Sequence, residues 1–303
     1  MADLSVKVCG VEFKNPIIPA SGVFGYGREY AQYYPLSALG GIAAKGTTPL
    51  KQNGNPAPRI AETPAGMLNS VGLQNPGMDA FLQDELPWLM QQDTVILANF
   101  AGPSPEACAE SAAKLDATDV HMLELNISCP NVKNGGLAFG AQADTAAAMV
   151  RAVRKATKKP LVVKLSPNVT DITEIAKAVE AEGADAVSLI NTLLSMRIDL
   201  RTRRPILKNN TGGLSGPAVF PVAVRMVWQV SNAVKIPVIG MGGVASGKDA
   251  AELMMAGASA VQVGTAVLTD PYAPLRIINE LNAWLDENNI KTAAELTGTM
   301  RPW

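Results

Sequence analysis

The chain has 303 residues, of which 48% are hydrophobic and 17% are charged, and its formal net charge is −1 at pH 7. This composition predicts a large buried core and excludes a disordered chain. A nearly neutral charge gives no electrostatic basis for binding nucleic acid or an anionic membrane. No apolar run approaches the roughly 20 residues that cross a bilayer, and residues 1–5 lack the basic and apolar regions of a signal peptide.

Cysteine usage indicates a reducing, cytoplasmic setting. The chain has 3 cysteines, Cys9, Cys108 and Cys129, and they are too few and too scattered for a disulfide framework. No CxxC pair predicts a metal site or an iron–sulfur cluster. We expect Cys9 and Cys108 to be structural thiols, in the opening hairpin and in the third helix.

The elements that follow the opening predict a (β/α)8 barrel. Residues 6–13 are rich in β-formers and predict a hairpin that plugs one end of the barrel. Short apolar segments and amphipathic helical segments then alternate, and an alternation repeated eight times favours a closed barrel over an open sheet. The predicted strands are 17–21, 41–45, 94–100, 122–128, 161–166, 186–191, 237–242 and 260–264.

Three of the intervening helices carry clear start signals. Segments 144–156, 171–182 and 246–256 are rich in alanine and open with Asp or Ser, which are preferred helix N-caps. No linker, charge run or low-complexity tract interrupts the pattern. We therefore expect residues 1–303 to form a single domain.

Polar residues and long connections gather after the predicted strands. The long connections are 46–78, 129–141 and 193–216, and active sites of such barrels form at the carboxyl ends of the strands. The polar residues at those ends are Ser21, Lys45, Asn99, Asn126, Lys164, Asn191 and Thr192. Any one of them alone is explained by capping or solvation, but their convergence on one rim favours a site.

The exit of the fourth strand is the most informative stretch. It reads Asn-Ile-Ser-Cys-Pro-Asn over residues 126–131 and continues into a glycine-rich loop. A thiol at a strand exit beneath such a loop is well placed to move a proton in a closed site. A buried structural cysteine is the alternative. The amides of Asn126 and Asn131 around Cys129 favour the functional interpretation.

The last two strands predict a phosphate site. Strand seven ends with Gly240, Gly242 and Gly243, and strand eight ends with Gly264 and Thr265. Glycine allows close approach of the backbone to an anion, and this is the usual phosphate site of such barrels. Ordinary turn glycines would explain either motif alone, but a phosphate site explains better why both motifs occur at the last two strands. No GxGxxG motif in a βαβ setting and no P-loop is present.

Lys164 is predicted to point into the barrel, where a buried lysine needs an anionic or electron-rich partner. Three partners remain open at this point. They are the pyrimidine edge of a reduced flavin, a lone phosphate, and a carbonyl substrate that forms a Schiff base.

Taken together, these residues resemble the dihydroorotate dehydrogenase family, over nearly the whole chain. The resemblance rests on segments 20–22, 44–47, 68–75, 126–131, 190–192 and 212–216, and on the two glycine motifs. Cysteine rather than serine at position 129 resembles the soluble class 1 enzymes, and loop 132–136 resembles the NAD-linked type 1B branch. The membrane-associated class carries an N-terminal membrane extension, which we do not expect in this protein.

The resemblance implies FMN-dependent oxidation of dihydroorotate to orotate in the de novo synthesis of UMP. Cys129 is expected to take the C5 proton as general base, and flavin N5 to take the C6 hydride. The residues expected to contact FMN are Ser21, Lys45, Gly46, Asn99, Asn126, Lys164, Ile190, Gly216, Gly242, Gly243, Gly264 and Thr265. The residues expected to hold the substrate are Lys45, Asn69, Ser70, Val71, Gly72, Leu73, Asn126, Asn131, Asn191 and Thr192.

The resemblance also implies a partner. Nothing in the sequence resembles an NAD site or a cysteine cluster that could hold an iron–sulfur centre, so we expect a separate subunit that carries FAD and a [2Fe–2S] cluster. A homodimer of this chain would then lie within a heterotetramer. No metal ion is expected in this chain.

Three other interpretations remain open. The first is the fumarate-linked homodimeric branch, and the second is a dihydropyrimidine dehydrogenase-like flavin enzyme with an uncharged substrate. The third is a non-enzymatic phosphate-binding scaffold.

His121, the chain's 1 histidine, is expected at the end of the barrel opposite the site and is not a candidate base. The basic stretch of loop six is expected either to be solvated or to steer an anionic substrate; it comprises Arg197, Arg201, Arg203, Arg204 and Lys208.

Overall fold

The structure is a computed structural model, and it describes residues 2–128 and 139–303. Cys129, Asn131 and loop 132–136 lie outside the described residues. An antiparallel hairpin of β1 (Val6–Val8) and β2 (Val11–Phe13) opens the chain, as predicted.

Eight parallel strands form the central barrel that the sequence predicted. Their spatial order is first, eighth, seventh, sixth, fifth, fourth, third, second. A hydrogen bond of 3.1 Å from Gly40 N to Ile17 O joins the two ends of this series. The barrel strands are β3 (Ile17–Pro19), β4 (Gly41–Ala43), β7 (Val95–Phe100), β8 (Met122–Asn126), β9 (Leu161–Lys164), β10 (Ala186–Leu189), β15 (Val238–Met241) and β16 (Ala258–Val263).

Most barrel strands end two residues earlier than predicted. The first strand, for example, ends at Pro19 rather than at residue 21. Single backbone hydrogen bonds continue for one residue past several of these ends, such as Ala20 N to Val263 O and Ile190 N to Met241 O, both at 2.8 Å, but regular ladder pairing stops there. The eighth strand instead begins two residues early, at Ala258, because Ala258 already pairs with Val238. Nearly all strand residues are buried, which explains their continuous apolar runs.

The long connections after the second and sixth barrel strands contain strands of their own, which the sequence analysis did not predict. They are β5 (Ile60–Thr63), β6 (Gly66–Asn69), β11 (Leu193–Ser195) and β14 (Gly212–Ser215). These form an antiparallel sheet in the order β11-β14-β6-β5, which we call the roof sheet. A separate two-stranded ribbon follows β11 and consists of β12 (Ile198–Asp199) and β13 (Arg204–Pro205).

Helices separate the barrel strands. A π-helix (Phe81–Glu85) lies between the second and third barrel strands, and short 3₁₀ helices lie at Tyr30–Gln32, Leu36–Ala38, Phe139–Ala141, Pro217–Val219 and Ala293–Leu296. The α-helices of the described residues are α1 (Met78–Ala80), α2 (Leu86–Leu89), α3 (Pro105–Asp116), α4 (Ala143–Ala156), α5 (Ile172–Ala181), α6 (Phe220–Ser231), α7 (Gly247–Met255), α8 (Ala266–Thr269) and α9 (Ala273–Glu287).

The predicted N-caps of α5 and α7 are confirmed. The Asp171 side chain accepts a hydrogen bond from Thr173 N, and Ser246 forms a reciprocal capping box with Asp249. Helix α4 begins without a side-chain cap, because Gln142 occupies its N-cap position and makes no such bond.

The hairpin covers the amino end of the barrel. Cys9 Sγ donates to the carbonyl of Asp185, which immediately precedes β10, at 3.2 Å. A Cβ at Gly41, the first residue of β4, would lie 3.0 Å from the Phe13 ring. These contacts confirm the predicted plug and leave the carboxyl end of the barrel for the site.

Within the part of the chain that the structure describes, no helix is both long and apolar enough to cross a membrane.

Candidate functional site

A cavity of about 290 Å³ opens at the carboxyl end of the barrel, beneath the roof sheet. Barrel exits form its floor, and β5, β6 and β14 contribute to its cover. The lining residues are Ala20, Ser21, Gly22, Val23, Lys45, Gly46, Ile60, Met67, Asn69, Val71, Gly72, Leu73, Asn99, Asn126, Lys164, Ile190, Asn191, Thr192, Leu214, Ser215, Gly216, Val219, Met241, Gly242, Gly243, Gly264, Thr265 and Leu268.

The structure brings the predicted site residues together. Every residue predicted to contact FMN lines this cavity, as do the predicted substrate residues Asn69, Val71, Gly72, Leu73, Asn191 and Thr192. Their roles in binding FMN and substrate remain predictions. Cys129 and Asn131 lie outside the described residues, so their positions relative to the cavity stay untested.

Ser70 does not line the cavity, unlike its neighbours in the predicted substrate segment. Its backbone holds the segment in place: Ser70 N donates to Arg59 O at 2.8 Å, and Ser70 O accepts from Asn55 Nδ2 at 2.9 Å. Its hydroxyl is buried and has no hydrogen-bond partner among the described residues. Ser70 therefore shapes the wall of the cavity from behind.

Asn75 anchors the far end of the same segment. Its side-chain oxygen accepts from Thr48 N at 3.1 Å and from Gly77 N at 2.9 Å, and its Nδ2 donates to Leu73 O at 2.6 Å. The backbone of residues 69–73 is thus fixed at both ends. A fixed wall favours selective binding, since less conformational entropy is lost when a ligand binds.

Lys164 is an almost completely buried cation at the floor of the cavity. The residue is 5% exposed, and its ammonium has no hydrogen-bond or ion-pair partner among the described residues. A buried charge without a partner is unfavourable. The arrangement therefore fits a ligand that brings an electron-rich or anionic group to this point.

The exit of β8 is fixed by a chain of side-chain hydrogen bonds. Asn191 Nδ2 donates to Ser128 Oγ at 2.5 Å, and Ser128 Oγ donates to Asn126 Oδ1 at 2.7 Å. Ser128 N also donates to Asn126 Oδ1, at 3.1 Å. Because the oxygen of the Asn126 amide is occupied in this way, its Nδ2 remains available as a donor.

The glycine motifs form a cradle beside these groups. Gly243 has φ +80°, and a Cβ there would lie 2.8 Å from Gly216 O, so the close packing of two loops requires glycine. At Gly264 a Cβ would meet no atom within 4 Å, so this position borders open space. Thr265 Oγ1 and Ser215 Oγ, 2.8 Å apart, lie on the adjacent wall. Ser215 was not among the residues predicted to form the site.

A buried carboxylate beneath the floor of the cavity was also not predicted from the sequence. Glu124 on β8 is fully buried and accepts hydrogen bonds from Asn99 Nδ2 at 2.5 Å, Ser188 Oγ at 2.8 Å and Gln262 Nε2 at 2.6 Å. The sequence did carry one signal for Glu124. It is a single acidic residue, two positions before Asn126, in an otherwise apolar strand. Its partners come from three other strands, and only the register of the barrel identifies them.

Two thiols and the histidine lie away from the cavity, as predicted. Burial raises the pKa of Cys9 to about 12, with a smaller contribution from Asp185, and burial also raises the pKa of Cys108 to about 12. His121 Nδ1 accepts from Ile96 N at 3.1 Å, at the amino end of the barrel. Burial, aided by Lys159, lowers the pKa of His121.

The basic stretch of the sixth loop lies around β12 and β13 and is exposed. None of its members lines the cavity. The Asp199 carboxylate accepts hydrogen bonds from Arg201 N and Thr202 N, so it caps the turn between the two strands of the ribbon. In the described parts of the chain, no group of three or more His, Cys, Asp or Glu side chains is arranged to hold a metal ion.

Comparison with known proteins gives a consistent result. A family model described as dihydroorotate dehydrogenase matches residues 3–285. A protein of Geobacillus sp. (strain WCH70) described as "Dihydroorotate dehydrogenase B (NAD(+)), catalytic subunit" is 55% identical over 304 residues, covering 100% of this chain and 96% of the relative. Proteins of the same description from Geobacillus kaustophilus (strain HTA426) and Bacillus cereus (strain B4264) are each 56% identical, with 100% of this chain and 96% and 98% of the relatives covered.

Proposed function

This chain belongs to the dihydroorotate dehydrogenase family, and from that premise we propose that it oxidises dihydroorotate to orotate in pyrimidine biosynthesis. The observation that carries the proposal is the convergence of Lys45, Lys164 and several asparagine amides on one cavity beside a glycine cradle. The family match covers residues 3–285 and therefore includes every residue of that cavity. We further propose that the whole chain acts as one FMN-binding domain.

The residues of the cavity fit FMN. Lys164 is a buried cation without a partner among the described residues, and Asn99 Oδ1 is a buried acceptor likewise unpaired there. The open space at Gly264 accommodates a group that a side chain at this position would displace. Lys164 would hold the electron-rich edge of the ring system, and Gly243, Gly264 and Thr265 would hold the phosphate. When bound, FMN would supply the hydride acceptor.

The remaining amides fit the substrate. Dihydroorotate carries a carboxylate and ring N–H and C=O groups, which lysine and asparagine side chains recognise. Lys45 would supply the positive charge opposite the carboxylate. Asn69, Asn126 and Asn191 would form hydrogen bonds with the N–H and C=O groups of the ring. A site that pairs these groups rejects analogues that leave its amides unpaired.

Cys129 is proposed as the general base that takes the C5 proton. The described residues support it indirectly, because hydrogen bonds with Asn126 and Asn191 fix Ser128, its immediate neighbour. A fixed strand exit is a suitable platform for a proton-transfer group that must be held close to its substrate.

We propose that electrons leave through a partner subunit that carries FAD and a [2Fe–2S] cluster, with NAD⁺ as the final acceptor. The relatives support this, since their descriptions include the words "NAD(+)" and "catalytic subunit". The proposed assembly is a heterotetramer built on a homodimer of this chain. The cytoplasmic location also stays a prediction.

The test is the absorbance spectrum of the purified full-length protein, before and after anaerobic addition of dihydroorotate. We expect an FMN spectrum that bleaches with dihydroorotate, and bleaching that is slowed by about 10²–10⁴-fold in Cys129→Ala with the flavin still bound. A colourless protein that cannot be reconstituted with FMN would contradict the proposal and favour the scaffold.

The electron acceptor is tested separately. The isolated chain is expected to reduce NAD⁺ poorly, and added partner subunit is expected to restore the reaction. Rapid turnover with fumarate would instead assign the chain to the homodimeric branch. Bleaching by uncharged dihydropyrimidines, but not by dihydroorotate, would indicate the dihydropyrimidine dehydrogenase-like activity.

A further inference from the structure

The buried carboxylate of Glu124 controls the orientation of two amides. It accepts a hydrogen bond from Asn99 Nδ2 at one oxygen, and from Gln262 Nε2 and Ser188 Oγ at the other. A carboxylate only accepts, so each amide must turn its NH₂ group toward it. The oxygens of both amides therefore point away from Glu124.

Those two oxygens are left without partners. Asn99 Oδ1 and Gln262 Oε1 are buried, and neither has a hydrogen-bond partner among the described residues. Asn99 lines the cavity, and a Cβ placed on Gly46, which also lines it, would lie 2.7 Å from Asn99 Oδ1. An unpaired buried acceptor is unfavourable and becomes satisfied when a ligand brings a donor.

The side-chain amides of Asn99 and Asn126 are held in opposite orientations. The oxygen of Asn126 accepts from Ser128, so its NH₂ group is the free end. Asn99 is held the other way round, with its NH₂ group engaged by Glu124 and its oxygen free. The floor of the cavity thus offers one fixed donor and one fixed acceptor, which suits a ring that carries both C=O and N–H groups.

We infer that Glu124 is a positioning residue that keeps the Asn99 oxygen available to accept a hydrogen bond from an N–H group of the FMN ring. The inference rests on the proposed function, because FMN is the ligand assigned to this part of the cavity. Glu124 does not line the cavity itself. Its effect on FMN passes through Asn99, and this distinguishes it from a residue that only stabilises the barrel.

The test is a double-mutant cycle on full-length protein, with FMN affinity measured by quenching of flavin fluorescence. In Glu124→Gln one carboxylate oxygen becomes an NH₂ group, so an amide that faced it must turn round or lose its bond. We expect Glu124→Gln to weaken FMN binding about tenfold in the parent, since about 1.4 kcal/mol corresponds to tenfold. In the Asn99→Ala background the same change is expected to weaken binding less than about twofold.

Ser188→Ala is the matched control, because it removes one donor to Glu124 and leaves the bond to Asn99 Nδ2 intact. We expect its FMN affinity to stay within about threefold of the parent. Equal losses from Glu124→Gln in both backgrounds, or no loss in the parent, would overturn the inference while leaving the proposed function in place. A parent protein that binds no FMN would overturn both.

A second measurement covers the case in which Glu124→Gln does not fold. The Asn99 side-chain amide is observed by NMR in the ¹⁵N-asparagine-labelled parent and is assigned by its absence in Asn99→Ala. Slow hydrogen exchange of this NH₂ group before FMN is added would support the inference. Slow exchange only after FMN is added would show that the ligand, not Glu124, orients the amide, and would overturn it.

Discussion

Lys164→Met is expected to stabilise the flavin-free protein and, at the same time, to weaken its hold on FMN. Lys164 is 5% exposed, and its ammonium has no partner among the described residues. Methionine has a similar length and can fill the same space without a charge. Removing an unpaired buried charge should raise the free energy of unfolding by about 1–3 kcal/mol.

The assay compares thermal unfolding of flavin-free parent and variant. For a chain of this size, a gain of that magnitude corresponds to a rise in Tm of about 2–5 °C. FMN titration of the same samples is expected to show binding weakened by about tenfold to a hundredfold, since the charged donor to the ligand is lost.

Lys177→Met is the matched control, because Lys177 lies exposed on α5, and its Tm is expected to stay within about 1 °C of the parent. A flavin-free Lys164→Met protein that is less stable than the parent would refute the reasoning, since it would mean that the ammonium is already satisfied without a ligand. Unchanged FMN affinity would remove Lys164 from the proposed cofactor site.

Two further predictions concern titratable groups. Because the pKa values of Cys9 and Cys108 are raised to about 12, neither is a thiolate at pH 8. Native protein treated with iodoacetamide at pH 8 should therefore gain one label, at Cys129, by mass spectrometry, and label on Cys108 would contradict this. Burial in the folded state lowers the pKa of His121 below its usual value of 6.5, so the unfolded state binds more protons near that pH, and stability should fall as the pH drops from 7 to 5. In His121→Gln the free energy of unfolding, measured with urea, should fall less between pH 7 and pH 5, because glutamine cannot lose its bond to Ile96 N by protonation. An unchanged dependence of this free energy on pH would show that His121 does not contribute.

Much of the barrel was predictable because its strands are buried on both faces. Such strands appear in a sequence as continuous apolar runs, of which Val95–Phe100 is the clearest, and repeated alternation with helices limits the topology. The carboxyl ends of parallel strands meet at one rim, so residues as distant as Ser21 and Thr265 could be assigned to one site before the structure was known.

The roof sheet and the Glu124 network were not predictable in the same way. Strand β14 (Gly212–Ser215) begins with two glycines, which have low strand propensity, and pairs with β6 from a connection far away in the chain. The direction of the Glu124 side chain and its three donors depend on the register of four strands. Long-range pairing of this kind leaves no local pattern in a single sequence.

The roof sheet has a consequence for changing what this protein recognises. Strands β6 and β14 are hydrogen-bonded neighbours that come from different connections, and both contribute residues to the cavity. A wall shared in this way cannot be exchanged one connection at a time, because a foreign segment would have to reproduce the register Leu68–Leu214 as well as present new side chains. Transfer of specificity between related barrels is therefore expected to require both connections together, as a single grafted unit.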